Sequence, residues 1–208
     1  VDTIIKLINN NINTNVIHCS EINNIKYVPD CVVILGGIVS VRNLELNINL
    51  QNVIDYIKMC DVNSIPVLGI CLGCQLIAKY LGSSIKKAHE SVCGFKNIKI
   101  HDSDDICKCI TKNNKYYISL HEDYIDASDN VNIMATYDNY PYYIKNNTLC
   151  GVQFHPDIVE DNLKKFAKCF GADLNNRILI KEYFVDNKTD IITASQDLFK
   201  AWLKMSNI

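Results

Sequence analysis

Apolar residues in this chain fall into two alternating patterns. The run 31–35, Cys-Val-Val-Ile-Leu, is apolar throughout and stops at Gly36-Gly37; Pro66-Val-Leu-Gly-Ile70 is a second such run. Both predict buried strands. Between them Leu50, Val53, Ile54 and Ile57 recur at i, i+3, i+4 and i+7, one face of a helix. The second run passes directly into 72–81, where Leu76, Ile77 and Tyr80 make another apolar helical face. Strands that are continuously apolar are covered on both faces, so this half predicts parallel strands with helices on either side. The middle changes character. Segments 95–100, 116–120, 131–137, 142–145 and 149–154 are strand candidates joined by short links, which predicts an antiparallel or mixed extension of the sheet. Leu163, Phe166, Ala167 and Phe170 restore helical spacing, with Gly171 at the C-terminal cap position. In the tail, 178–185 reads as a strand. Thr193 with Gln196 makes a capping box for a last helix bearing Leu198, Phe199, Trp202 and Leu203, a stripe expected to pack on the parent domain.

The fold class expected is therefore α/β: an open, mixed, largely parallel central sheet flanked by helices, with an antiparallel strand extension. Residues 1–171 read as the domain, and 172–208 as a C-terminal extension with a strand and an amphipathic helix. At 208 residues and 48% hydrophobic composition there is ample chain for a buried core. A net charge of −2, with Lys and Arg scattered, argues against a partner held by a strong basic field, such as duplex nucleic acid. The longest apolar run, 31–39, is far short of the roughly 20 residues of a membrane-spanning helix. No charged-then-apolar leader opens the sequence, which begins with Val1. Ten cysteines show no framework spacing, and several lie in strand-like runs as small hydrophobes. The expectation is a reduced, cytoplasmic protein without a membrane or nucleic-acid partner.

Chemistry concentrates in two segments. Gly69-Ile-Cys-Leu-Gly73 puts a glycine two before and two after Cys71, between a predicted strand and a predicted helix. This is the cysteine form of the nucleophile elbow, where a sharp turn needs nearly absent neighbouring side chains. A thiol at a helix N-terminus is favoured as thiolate by the dipole, and the amide of Leu72 points at a developing oxyanion. Cys71-Leu-Gly-Cys74 is equally a C-x-x-C at a strand-to-helix junction, so a redox pair competes, as does a pair of core cysteines. The second segment, Gly151-Val-Gln-Phe-His155-Pro-Asp157, ends a predicted strand with a histidine and a carboxylate two residues on. A thiol nucleophile needs a base and the base needs an orienter. His155 and Asp157 supply both.

Together these residues carry a resemblance. "PVLGICLGCQ" and "GVQFHPD" resemble the nucleophile and His-acid motifs of the class I (triad) glutamine amidotransferases, and "VVILGGIVSV" resembles the strand and glycine turn preceding the nucleophile there. "ISLHEDYI", with His121 and Asp123, is similar to a segment of the GMP synthetase amidotransferase domain, and "ESVCGFKNIKI" falls where that branch has a Glu-Phe-Gly-Tyr stretch. The likeness covers roughly residues 1–171. It implies a glutaminase half-reaction with Cys71, His155 and Asp157 as catalytic triad and the Gly37 and Leu72 amides as oxyanion hole. Gln75, Ser119, Leu120 and His121 fall near the glutamine pocket. It implies no cofactor and no metal. An ATP-dependent synthetase subunit or domain is the implied acceptor of ammonia, in GMP synthesis from XMP or, as alternative, anthranilate or aminodeoxychorismate synthesis. The chain shows no Ser-Gly-Gly-x-Asp-Ser stretch and no P-loop of its own.

Departures from the family pattern are few and specific. Asp157 stands where glutamate is usual and is one methylene, about 1.5 Å, shorter. A displacement of about 1 Å can cost on the order of 10²-fold in rate. A weakly active or inactive relative kept for binding or regulation is therefore the rival from another class. Ile38 follows the two glycines where proline is common, and Cys74 takes a position often held by His or Met. The family opens with a strand, then a helix. Here Ile4, Ile5, Leu7 and Ile8 read as that helix, with 16–19 the next strand, so the first central strand is missing; alternatively 3–8 is that strand and the helix is lost.

Overall fold

The computed structural model describes residues 12–158, Leu163 and residues 174–208. The two continuous apolar runs form β1 (Val32–Ile34) and β2 (Val67–Ile70). Between them α1 (Ile48–Val62) buries Leu50, Val53 and Ile57 of the predicted face together with Cys60, while Ile54 is partly buried. Asn47 caps it, its Oδ1 accepting from Leu50 N at 3.2 Å. A single residue, Cys71, separates β2 from α2 (Leu72–Tyr80). The chain then builds β3 (Ser84–Phe95), β4 (Lys99–Ile100), α3 (Asp105–Asn113), β5 (Ile118–Asp126), β6 (Asn132–Tyr137), β7 (Tyr140–Asn146) and β8 (Leu149–Val152). Two helices, α4 (Leu174–Asp186) and α5 (Lys188–Met205), complete it.

Six strands form one sheet in the order β1-β2-β8-β7-β6-β4, and β3 and β5 pair as a separate antiparallel ribbon. β1, β2 and β8 are parallel neighbours, with Val33 opposite Leu68 and Leu68 opposite Cys150. β7, β6 and β4 continue antiparallel. The connection from β6 to β7 is a two-residue turn, Asp138-Asn139, with φ of +50° and +65°, the primed geometry that suits the twist of a hairpin. Successive residues of the central strands feed two different cores. Leu68, Ile70, Cys150 and Val152 pack with side chains of α3 and α5, whereas Val67 and Leu149 pack with α1 and α2. Both faces of the parallel core are thus covered, which is why its strands are apolar throughout.

The departures from the sequence-based expectations each have a physical cause. Residues 13–18 form no strand; 16 and 17 are exposed valine and isoleucine, and Cys19–Asn24 is a 3₁₀ turn. The strand expected over 95–100 is instead the end of β3 and the short β4, broken at 96–98. β3 extends back through the polar stretch Lys86 to Ser91, where strand pairing with β5 shifts register between Lys87 and Val92. Residues 105–113, to which the hydrophobic pattern assigns no element, form α3, nucleated by Asp104 Oδ1 accepting from Cys107 N at 2.8 Å. The strand expected over 178–185 is helix α4: Ile180 and Phe184, four apart, are buried together, while Ile178, Leu179 and Val185 face out. Thr193 and Gln196 lie inside α5, which starts after Asn187, so they do not form its capping box. The expected packing of Leu198, Phe199, Trp202 and Leu203 into the main core does occur. The helix read from Ile4, Ile5, Leu7 and Ile8, its alternative as a strand over 3–8, and the helix through Phe166 to Gly171 lie outside the described residues, although Leu163 itself is helical and buried. Among the described residues, no helix is long and apolar enough to cross a membrane.

Candidate active site

Cys71 occupies the junction of β2 and α2 at φ +52° and ψ −101°, a conformation that non-glycine residues rarely adopt and that costs on the order of 1–3 kcal/mol. Hydrogen bonds on both sides hold it there. Cys71 N donates to Val152 O at 2.8 Å, and Cys71 O accepts from Gln75 N at 3.1 Å. The turn closes tightly because Gly69 and Gly73 have no side chains. A Cβ on Gly69 would collide with the Gly73 backbone, and one on Gly73 with the Ile34 carbonyl of β1. The glycines read in the sequence thus seat Cys71 against the sheet.

His155 arrives from the end of β8. Its backbone N–H donates to Ile118 O at 2.7 Å, an isolated bridge that pins it to β5. The ring lies beside Gly36 and Cys71: a Cβ on Gly36 would come 2.7 Å from His155 Cε1 and 3.5 Å from Cys71 Cβ. Nδ1 is 3.0 Å from Asp157 Oδ1, so the shorter carboxylate reaches the imidazole. Burial disfavours the imidazolium, but Cys71 and Asp157 together outweigh it and push His155 up to about 10. The ring is therefore held as imidazolium beside the Cys71 side chain.

A cavity of about 300 Å³ opens in front of Cys71, at the lower end of the range for small-molecule sites. Gly37, Leu72, Gln75 and His121 line it, with Asp123, Glu122, Ser40 and Arg42 among the other walls. Ser119 and Leu120 do not line it. Ser119 is fully buried, and Leu120 approaches only through its carbonyl, 4.0 Å from Cys71 Sγ. Both lie on β5 and are buried, so their side chains are not exposed in the cavity. His121 has both ring nitrogens engaged: Nδ1 at 2.9 Å from Asp123 O and Nε2 at 2.8 Å from the Tyr142 hydroxyl. Burial pushes it down to about 4, so the ring is neutral; Nδ1–H donates to the carbonyl and Nε2 accepts from Tyr142. His121 shapes the wall, with no ring nitrogen left over for a ligand.

Three side chains of the site were not singled out by sequence. Gln153, two residues before His155, is buried and places Nε2 3.6 Å from Cys71 Sγ, while its Oε1 accepts from Gln75 Nε2 at 3.4 Å. Ser40 and Arg42 follow the glycine turn and meet Asp123: Ser40 Oγ donates to Asp123 Oδ2 at 2.6 Å, and Arg42 Nε lies 3.0 Å from Oδ1. Nothing local marks them, since their partner is on β5. Cys74 belongs to the opposite core from Cys71 and packs against Gly151, and burial pushes its thiol well up. Two thiols feeding opposite faces of the sheet are poorly placed for a reversible disulfide. All nine cysteines among the described residues are free thiols. Among the described residues, no three His, Cys, Asp or Glu side chains cluster as a metal site requires.

An open α/β sheet bearing a cysteine on a strand-to-helix elbow, with a carboxylate-held imidazole beside it, is the arrangement of thiol-dependent acyl-transfer proteins. The family model described as glutamine amidotransferase class-I matches residues 3–168, and the chain belongs to that family. A glutamine amidotransferase-like protein of Acanthamoeba polyphaga mimivirus is 34% identical over 175 residues, 84% of this chain and 76% of the relative. A GMP synthase (glutamine-hydrolyzing) subunit of Sulfurisphaera tokodaii is 36% identical over 132 residues, 62% of this chain and 68% of that relative. Among solved structures, a glutamine amidotransferase from Thermotoga maritima superposes with a TM-score of 0.66 at 19% identity, covering 83% of this chain and 78% of the other. That likeness shows the shared fold.

Proposed function

We propose that the chain hydrolyses the side-chain amide of glutamine and delivers the ammonia to a synthetase partner. The observation that carries this reading is Cys71 at its strained elbow beside His155, whose ring Asp157 holds at 3.0 Å. The Cys71 thiolate attacks the amide carbon. The tetrahedral oxyanion forms between the amides of Gly37 and Leu72, each donor contributing about 10²–10³ in rate. His155 gives its proton to the leaving nitrogen, ammonia departs, and a γ-glutamyl thioester remains. Water, deprotonated by His155, then releases glutamate and restores the thiolate. Gln75 contributes to glutamine binding, and Ser119 and Leu120 support the pocket from β5. No cofactor takes part.

The acceptor is an ATP-dependent synthetase subunit or domain. GMP synthesis from XMP is the preferred pathway, supported by relatives that are themselves glutamine-hydrolyzing GMP synthase subunits, at 28–36% identity. Incubation with glutamine should release glutamate and ammonia, and a glutamine-analogue electrophile should label Cys71 as a mass adduct. Cys71→Ala should release neither product; ammonia release that survives this substitution overturns the assignment. Labelling without turnover, alone and with candidate synthetases, would instead identify a binding or regulatory protein.

A further inference from the structure

Gln153 is a polar side chain in an apolar place. Its neighbours Val152 and Phe154 pack into the core that also takes side chains of α3 and α5, whereas Gln153 meets α2 and is only 1% exposed. An amide buried this deeply costs free energy unless both its ends are paired. Its Oε1 accepts from Gln75 Nε2 at 3.4 Å, and its Nε2 donates to Cys71 Sγ at 3.6 Å. A group outside the pair fixes which end faces which partner. Asp123 O, 3.5 Å from Gln75 Nε2, is a main-chain carbonyl and can only accept. Gln75 therefore presents its NH₂ group there, and the same nitrogen faces Gln153. Gln153 must then accept with Oε1 and turn its own N–H to the sulfur. The thiol also meets a group of the opposite character, Leu120 O at 4.0 Å, to which S–H donates. A carbonyl favours the protonated thiol, and an N–H donor favours the thiolate.

We propose that Gln153 is a positioning residue for the nucleophile: its side-chain N–H holds the Cys71 sulfur as thiolate, in an orientation that Gln75 fixes. His155 supplies charge and a proton, whereas Gln153 supplies a neutral donor that stays in place throughout. The same N–H meets the sulfur when it departs from the thioester, so both halves of the reaction use it. Other ionisable groups around the sulfur do not substitute for it. Cys74 on α2 and Tyr142 on β7 act on Cys71 through space, but burial pushes both up and leaves them neutral. Glu122, Asp123 and Arg42 stand in the cavity wall. Gln75 lines that wall too, so a residue facing the cavity and the residue holding the sulfur are a single hydrogen bond apart. The catalytic meaning of this inference rests on the glutaminase reading above.

The test is the rate of Cys71 alkylation by iodoacetamide as a function of pH, read by mass spectrometry on the ligand-free protein. Gln153→Met keeps the length of the side chain and removes the donor. It should move the midpoint of the profile up by about 0.5 to 1 pH unit and slow alkylation below the midpoint about 3- to 10-fold, with the plateau at high pH unchanged. At the same pH, kcat for glutamate release should fall by a similar factor while KM changes by no more than roughly twofold. Gln75→Met frees the amide to turn Oε1 to the sulfur, and should move the midpoint in the same direction. An unchanged midpoint in Gln153→Met overturns the proposal, as does a slower rate at every pH with the midpoint fixed, the mark of a packing role. Should Gln153→Met not fold, as judged by Trp202 fluorescence, an unchanged midpoint in Gln75→Met overturns it instead. Alkylation needs no glutamine. Absence of glutamate release by the wild type therefore overturns the glutaminase reading and leaves the alkylation profile to decide the role of Gln153.

Discussion

Asp157 shows how one shortened side chain is accommodated. A carboxylate about 1.5 Å shorter than glutamate needs its backbone nearer the imidazole, and the Pro156 turn after β8 provides that: Oδ1 stands 3.0 Å from His155 Nδ1. The distance objection to a working triad is thereby removed. Asp157→Asn keeps the size and loses the charge, so the ring is no longer held with Nδ1 protonated. It is expected to lower kcat by about 10²–10⁴ with KM changed little, measured as glutamate release under saturating glutamine. At the same scale, Gln153 was missed because a glutamine inside an apolar strand end has no sequence signature of its own. Only its position between Gln75 and the Cys71 thiol reveals it.

At the scale of elements, α5 supplies much of the core on one face of the sheet. Ala194, Leu198, Phe199 and Trp202 are buried with residues of β2, β8 and α3. The Tyr117 hydroxyl donates to Ala194 O at 3.1 Å, tying the helix to the start of β5 and so to the strand that carries His121 and Asp123. Phe199→Ala removes a fully buried ring and should destabilise the protein by about 3–5 kcal/mol. Urea unfolding followed by the fluorescence of Trp202, the only tryptophan, checks this. The helical stripe of α5 was legible because its period was unambiguous. The strand expected over 178–185 failed because a short β-branched and aromatic run fits either period. Burial of Ile180 and Phe184 against Ile118 and Leu120 selects the helix.

For the whole molecule, two buried histidines set opposite pH limits. His155 is raised from 6.5 to about 10. Its contribution to stability is full below 6.5 and is lost as pH climbs through the folded value. His121 is lowered from 6.5 to about 4, so between these values the unfolded chain binds the proton that the folded one refuses. Its burial in neutral form favours folding above 6.5 and less so as pH falls towards 4. These two groups place the stability maximum near pH 6.5. Urea midpoints measured from pH 4 to 10 should decline on both sides, and His121→Gln should flatten the acid limb alone.

The sequence by itself determined the parallel core, α1 and α2, and the two ends of the proposed catalytic pair. Continuous apolar runs, helical periods and glycine-flanked turns are local, and local sterics decide them. Cys71 was readable because its elbow must be bounded by Gly69 and Gly73, and His155 because a proline and then a carboxylate follow it directly. What only the tertiary structure decided were relations between distant segments. The register of β3 on β5, the choice of helix for α4, the withdrawal of Ser119 from the cavity and the meeting of Arg42 with Asp123 all depend on which surfaces the packed sheet brings together. Such contacts leave no period in the chain, because each partner answers to a neighbour far away in sequence.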